Sequence, residues 1–241
     1  HNTPYEILSG LVGSEMCIRD RIKNGDCFIH GKLEKKEIGI VDGKIAKIED
    51  SIEESSKDIL DANELIVLPG CIDTQVHFRE PGSTDTEDLN SGSKAAVAGG
   101  ITGVFEMPNT NPPTANEEEF QKKLNLAKDR MFCNYAFYLG ANPTNQSELS
   151  KLKNLEGCCG VKLFAGSSTG NLLVHKEEDI EKVFEHTSKV VAVHSEDEDI
   201  LNQRKKLREN GNVLTHEVWR NVESAMLSLI HISEPTRPER I

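Results

Sequence analysis

The chain has 241 residues and a formal net charge of -12, with 40 acidic side chains against 28 basic ones. That balance argues against nucleic acid or an anionic membrane as partner, since both reward clusters of lysine and arginine, and it leaves a small molecule or a protein as the expected partner. No stretch reaches the roughly eighteen uninterrupted apolar residues of a membrane span, and no charged leader with an apolar run and a small-residue cleavage site is recognisable, so a cytoplasmic location is expected.

Six cysteines, including the adjacent Cys158 and Cys159, show no C-x-x-C spacing and are read as buried free thiols. Two segments resemble translated sequencing-adapter read-through: "LVGSEMCIRDR", Leu11 to Arg21, and "LSLIHISEPTR", Leu227 to Arg237. The expected organisation is therefore an adapter-derived segment at 1–21 and a small β segment at 22–66. A partial β/α barrel at 67–226 and an adapter-derived tail at 227–241 complete it.

In chain order, "EIGIVDGKIAKIED" sets Asp42-Gly43 between two alternating apolar runs, which predicts a hairpin. "LIVLPGCIDTQVHF" predicts one strand. "TDTEDLNSGSKAAVAGG" predicts a helix opened by a capping box of Thr84 and Glu87 and closed at Gly99-Gly100. "ITGVFEM" is the next strand. In "ANEEEFQKKLNLAKDRM" the residues Phe120, Leu124, Ala127 and Met131 share one helical stripe. Then follow strand "CNYAFYLG", helix "SELSKLKNLEG", strand "GVKLFAG", helix "EEDIEKVFEHTSK" and strand "VVAVHSE".

Strict rotation of strand and helix predicts right-handed β-α-β units and a parallel sheet. A doubly wound nucleotide fold would carry a glycine-rich phosphate turn after its first strand, and no G-x-G-x-x-G or P-loop is present. Instead the strands end in reactive side chains: His77 and Arg79, Asn109, Lys162, His194. That pattern predicts a (β/α)8 barrel, whose chemistry collects at the C-terminal ends of its strands. A whole barrel needs about 250 residues, so truncation after the fifth β/α unit is expected, along with poor folding of the chain expressed alone because its sheet edges stay open.

Within "IDTQVHFREPG", alternation sends Ile72, Thr74, Val76 and Phe78 to one face and Asp73, Gln75, His77 and Arg79 to the other. The run "ELIVLPGC" leads into it and is expected to be buried. Val161 and Leu163 flank Lys162 and would face the helices, which turns the lysine into the barrel; a buried lysine is costly unless paired, neutral or chemically altered.

Four ordered stretches, "LPGCIDTQVHFREPG", "FEMPNTNPPT", "GVKLFAGSSTGNLL" and "VHSEDED", resemble the successive strand-end motifs of dihydroorotase, in the amidohydrolase superfamily. The resemblance covers nearly all of Ile22 to Met226. It implies a cyclic amide hydrolase interconverting dihydroorotate and N-carbamoyl-aspartate in pyrimidine biosynthesis. It also implies a divalent metal cofactor, zinc in one or two ions, which would lower the pKa of a bound water. On the matching positions, His77, Lys162 in carboxylated form and His194 are implied as metal ligands, and Arg79 and Asn109 as holders of the substrate carboxylate.

One position departs from the pattern. Where the family's D-x-H-x-H segment supplies its first histidine this chain has Gln75, a neutral and weaker ligand, so the first metal site is expected to be weakened or lost. Two readings stay open: an enzyme that tolerates Gln75, or a non-catalytic scaffold subunit partnering aspartate carbamoyltransferase. A homo-oligomer is a further expected partner state. The sixth-strand histidine and eighth-strand catalytic aspartate of the family are not matched; His231 lies in the adapter-like tail and is rejected, so the chain as written is expected to be inactive. His1, His30, His175, His186, His216 and Trp219 are assigned no chemical role.

Overall fold

The computed structural model describes residues 18–151, 155–166 and 171–209, and divides into two units, His1–Pro69 and Gly70–Ile241. His1, His216, Trp219, His231 and the 227–241 tail lie outside the described residues.

The first unit holds β1 (Ile18–Lys23), β2 (Asp26–Ile29), β3 (Lys32–Lys35), β4 (Glu37–Val41), β5 (Lys44–Glu49), β6 (Ser56–Asp61) and β7 (Ile66–Val67). They form two sheets rather than one, a four-stranded β5-β4-β1-β6 and a three-stranded β3-β2-β7. The hairpin forms as expected: Val41 pairs with Lys44, and Asp42 and Gly43 both take positive φ, 50° and 73°, which matches the right-handed twist of the strands. Ile18 to Arg21, inside the segment read as adapter-derived, form most of the inner strand β1. Ile18 is buried against the bare Cα of Gly39, and Arg21 reaches Glu37 at 2.5 Å. The sheet takes these residues as its own whatever their origin.

The second unit alternates β8 (Cys71–Val76), α1 (Leu89–Ala98), β9 (Ile101–Glu106), α2 (Glu117–Ala127), β10 (Asn134–Gly140), α3 (Gln146–Lys151), β11 (Cys158–Phe164), α4 (Glu177–His186), β12 (Val191–His194) and α5 (Glu198–Glu209). The five strands pair in parallel in the order β12-β11-β10-β9-β8, the sequential order of a β/α barrel. One face packs on the helices. Val104, Phe137, Leu139, Val161 and Leu163 from the strands meet Leu89, Phe120, Ala127, Leu149 and Val183 in a single apolar cluster.

Four local expectations are corrected. The strand "LIVLPGCIDTQVHF" is two strands in different sheets, β7 and β8, separated at Pro69, which cannot donate to a ladder. The run before β8 is not buried: Leu65, Ile66 and Leu68 are exposed, since β7 pairs over only two residues. Helix α1 is capped later than expected, by Asp88 with Ser91 in place of Thr84 with Glu87, because the Asp88 carboxylate accepts from the Ser91 N–H at 2.6 Å while the Ser91 hydroxyl accepts from the Asp88 N–H. The thiols are not uniformly buried either, Cys27 and Cys158 being enclosed while Cys71 is exposed on edge strand β8.

Candidate functional site

The polar strand ends gather in the second unit. Met107 donates its N–H to the Val76 carbonyl at 2.9 Å, zipping the turn after β9 to the end of β8. This bond brings Asn109 to His77, with Asn109 Oδ1 2.8 Å from His77 Nδ1. A carbonyl oxygen only accepts, so Nδ1 carries the proton and Nε2 presents its lone pair. Burial pushes the His77 pKa down, against a smaller opposing effect of Asn109, and the charges of Arg79 and Lys162 push it further down, so the ring is neutral near pH 7.

Val76 and Phe78 belong to the helix-side core, which sends His77 to the other face of the sheet, as alternation predicts, and Arg79 lies half-buried just beyond the strand. Alternation fails further upstream. The β8/β9 register shifts between Asp73 and Val76, and the Asp73 carboxylate accepts the Gln75 N–H at 2.9 Å, a local bond that competes with the ladder and produces a bulge. Asp73 consequently pairs with Val104, a helix-side residue, and Gln75 is exposed.

On β11 and β12 the alternation holds. Val161 and Leu163 are fully buried among the helices, while Lys162 is 2% exposed on the opposite face. Its ammonium lies 5.0 Å from the Phe164 ring, whose centroid is 6.1 Å from that of His194. Phe164 and His194 are register partners, and Ala165 donates to the His194 carbonyl at 2.8 Å, which fixes the end of β12 on β11. His194 Nε2 is 2.9 Å from Glu196. Burial alone brings the Lys162 pKa down to about 8, and among the described residues Lys162 has no hydrogen-bonding or ionic partner.

The two histidines stand at the ends of the opposite edge strands of the sheet, His77 just after β8 and His194 closing β12, with Lys162 on β11. Among the described residues no group of three or more His, Cys, Asp and Glu is placed to hold a metal. The donor chemistry nonetheless fits a divalent ion: His77 is neutral with Nε2 unprotonated, and Lys162, with its pKa brought down to about 8 and no anion among the described residues holding its proton, gives up that proton more readily than an exposed lysine; the free amine can add carbon dioxide and become an anionic oxygen ligand.

Sequence reading missed the charged groups behind this face. Glu106 and Lys123 are both fully buried and in ionic contact on the helix side of β9. Lys123 also donates to the Met107 carbonyl at 3.1 Å, tying α2 to the turn that carries Asn109. Neither Glu106 oxygen has a well-directed hydrogen bond, although the carboxylate also faces the Phe78 N–H, and burial pushes its pKa up to about 7. Glu80 is buried as well. Arg130 grips both its oxygens, at 2.8 and 3.1 Å, and Leu89 at the start of α1 donates its N–H to Oε2 at 2.9 Å. The signal available in the sequence was Lys123 lying three residues from Phe120 and four from Ala127, inside the apolar stripe of its helix.

The chain matches the amidohydrolase family over residues 66–229 and belongs to that family. It is 37% identical over 190 residues to a dihydroorotase of Methanosarcina mazei, spanning 77% of this chain and 41% of that protein. It is 38% identical over 152 residues to an allantoinase of Rubrobacter xylanophilus, spanning 63% of this chain and 33% of that one. Among solved structures, the L-hydantoinase (dihydropyrimidinase) of Arthrobacter aurescens superposes with a TM-score of 0.79 at 24% identity, covering 86% of this chain and 48% of that one, a likeness of fold. The fold is the amidohydrolase (β/α)8 barrel over its first five strands, and the chain spans less than half the length of the curated relatives it matches.

Proposed function

We propose that the chain is part of a metal-dependent cyclic amide hydrolase of the dihydroorotase type, acting between dihydroorotate and N-carbamoyl-aspartate in the cytoplasm. The observation that carries this reading is Arg79: it lies two residues beyond His77 after the first barrel strand, and its guanidinium has no hydrogen-bonding or ion-pair partner among the described residues. In a chain of net charge -12 a half-buried arginine to which no carboxylate bonds, Glu106 feeling only its charge, is poised for an anion from outside. A ring bearing one carboxylate meets that requirement.

In this reading Arg79 takes the substrate carboxylate bidentately, and Asn109, whose Oδ1 is committed to His77, offers its Nδ2 as a second donor. The same hydrogen bond locks the His77 tautomer with the Nε2 lone pair free for a metal ion. His77, His194 and a carbamate on Lys162 would hold the divalent ion. When bound, the metal supplies an activated water and polarises the ring amide carbonyl. No described residue is assigned the proton transfer, a role that the resemblance to dihydroorotase implies for an aspartate of the eighth strand.

The test is substrate preference in the full-length product of the gene. Dihydroorotate is expected to be hydrolysed in clear preference to dihydrouracil, the same ring without a carboxylate; equal rates on the two would refute the assignment. The exposure of Gln75 favours a second reading, a scaffold subunit that holds no metal and serves aspartate carbamoyltransferase. Gln75→His separates the two. In the enzyme it is expected to raise metal content per chain, in line with the stronger imidazole ligand, whereas unchanged metal content and turnover would remove Gln75 as the weak point of the site.

A further inference from the structure

Arg79 has a left-handed backbone, φ 62°. That conformation disfavours any residue with a side chain and persists only where the surroundings impose it. Both neighbours of Arg79 are buried and anchored. On one side the Phe78 N–H faces the Glu106 carboxylate, and the Phe78 ring fills the space over Gly92, where an added Cβ would lie 2.4 Å from it. On the other side Glu80 is held by the paired bonds from Arg130 and by the N–H of Leu89. Arg130 is in turn fixed by its own donation to the Leu126 carbonyl at 3.0 Å and by the Asn90 side chain, which donates to the Arg130 carbonyl at 3.1 Å. The loop beyond is pinned too, Asn111 donating to the Pro81 carbonyl at 2.9 Å and Ser83 to the Arg79 carbonyl at 3.0 Å.

We propose that Glu80 and Arg130 are positioning residues: their ion pair, seated on the N-terminus of α1, holds Arg79 in its left-handed conformation and so aims its guanidinium at the carboxylate of the ring substrate. This inference deepens the proposed function and rests on its reading of Arg79. Neither residue touches substrate. Their effect passes through the backbone of one strained residue, which is why a cation on the connection from α2 to β10 governs an anion contact at the end of the first barrel strand.

The test is a double-mutant cycle in the full-length product, reading kcat and KM for dihydroorotate, the Kd of orotate as a non-hydrolysed probe, and thermal stability. Glu80→Gln keeps an acceptor for the Leu89 N–H and loses the ion pair. It is expected to raise KM and the orotate Kd by about tenfold with kcat nearly unchanged, and to have no further effect in an Arg79→Ala background. Arg130→Lys, which keeps the charge at a part-exposed position and loses the fork, serves where Glu80→Gln does not fold; it is expected to reproduce the KM effect and its disappearance in Arg79→Ala. If Arg79→Ala weakens orotate binding but Glu80→Gln or Arg130→Lys weakens it equally in both backgrounds, or not at all, the positioning role is overturned and the role of Arg79 stands. If Arg79→Ala leaves KM and Kd unchanged, the functional reading of Arg79 falls and this proposal with it.

Discussion

Lys123→Met is expected to destabilise the second unit by about 3–5 kcal/mol at pH 8, the cost of stranding one partner of a buried ion pair, and by distinctly less at pH 5. Glu106 has no exposed surface, and burial already pushes its pKa up to about 7 with Lys123 beside it. The sign follows from which state binds the proton more tightly. A carboxyl whose folded pKa lies above its unfolded value of 4.5 favours the fold when protonated, so its contribution is full below 4.5 and is lost as pH rises through about 7. Lys123 opposes this loss by its charge and contact, though burial lowers its own pKa. Without it the Glu106 pKa rises further and the loss extends to higher pH. Urea unfolding of the full-length protein at pH 5 and pH 8 measures the difference, and equal destabilisation at both would contradict it. Lys123→Met combined with Glu106→Leu removes both charges and is expected to recover most of the stability with little pH dependence.

Arg79→Ala carries the second large effect. Two charge-assisted hydrogen bonds of about 1.5–3 kcal/mol each correspond to a fall in kcat/KM for dihydroorotate of about 10²–10⁴-fold, concentrated in KM. Hydrolysis of dihydrouracil, which has no carboxylate to lose, is expected to change little. Steady-state kinetics on the two rings distinguishes a carboxylate clamp from a structural arginine, because a structural loss depresses both equally. Arg79→Lys is expected to recover only part of the activity, an ammonium being unable to form the paired bonds.

The order of strands and helices was legible because most barrel strands are short runs with glycine or proline beside them and the longer helices show an apolar stripe of period 3.6. The facing of Lys162 was legible for the same reason: Val161 and Leu163 leave only one direction for the residue between them. Sequence could not show the bulge at Asp73, which depends on a carboxylate choosing its own neighbour's N–H over solvent. Nor could it show the division at Pro69, since an apolar run reads alike whether its two halves pair with one sheet or two. Glu80, Glu106 and Lys123 look like surface charges in the chain; only the pairing of residues up to 50 positions apart, as of Glu80 with the part-exposed Arg130, makes them interior groups. The motifs thus marked the residues offered to a ligand, and the supports behind them emerged only with the fold.

The most direct measurement of the account is dihydroorotate hydrolysis by the full-length gene product, assayed alongside divalent metal per chain. The account predicts turnover that disappears on chelation and returns with metal, with one or two ions bound. A folded protein that binds no metal and leaves dihydroorotate intact would contradict it and make Gln75 the mark of a lost site.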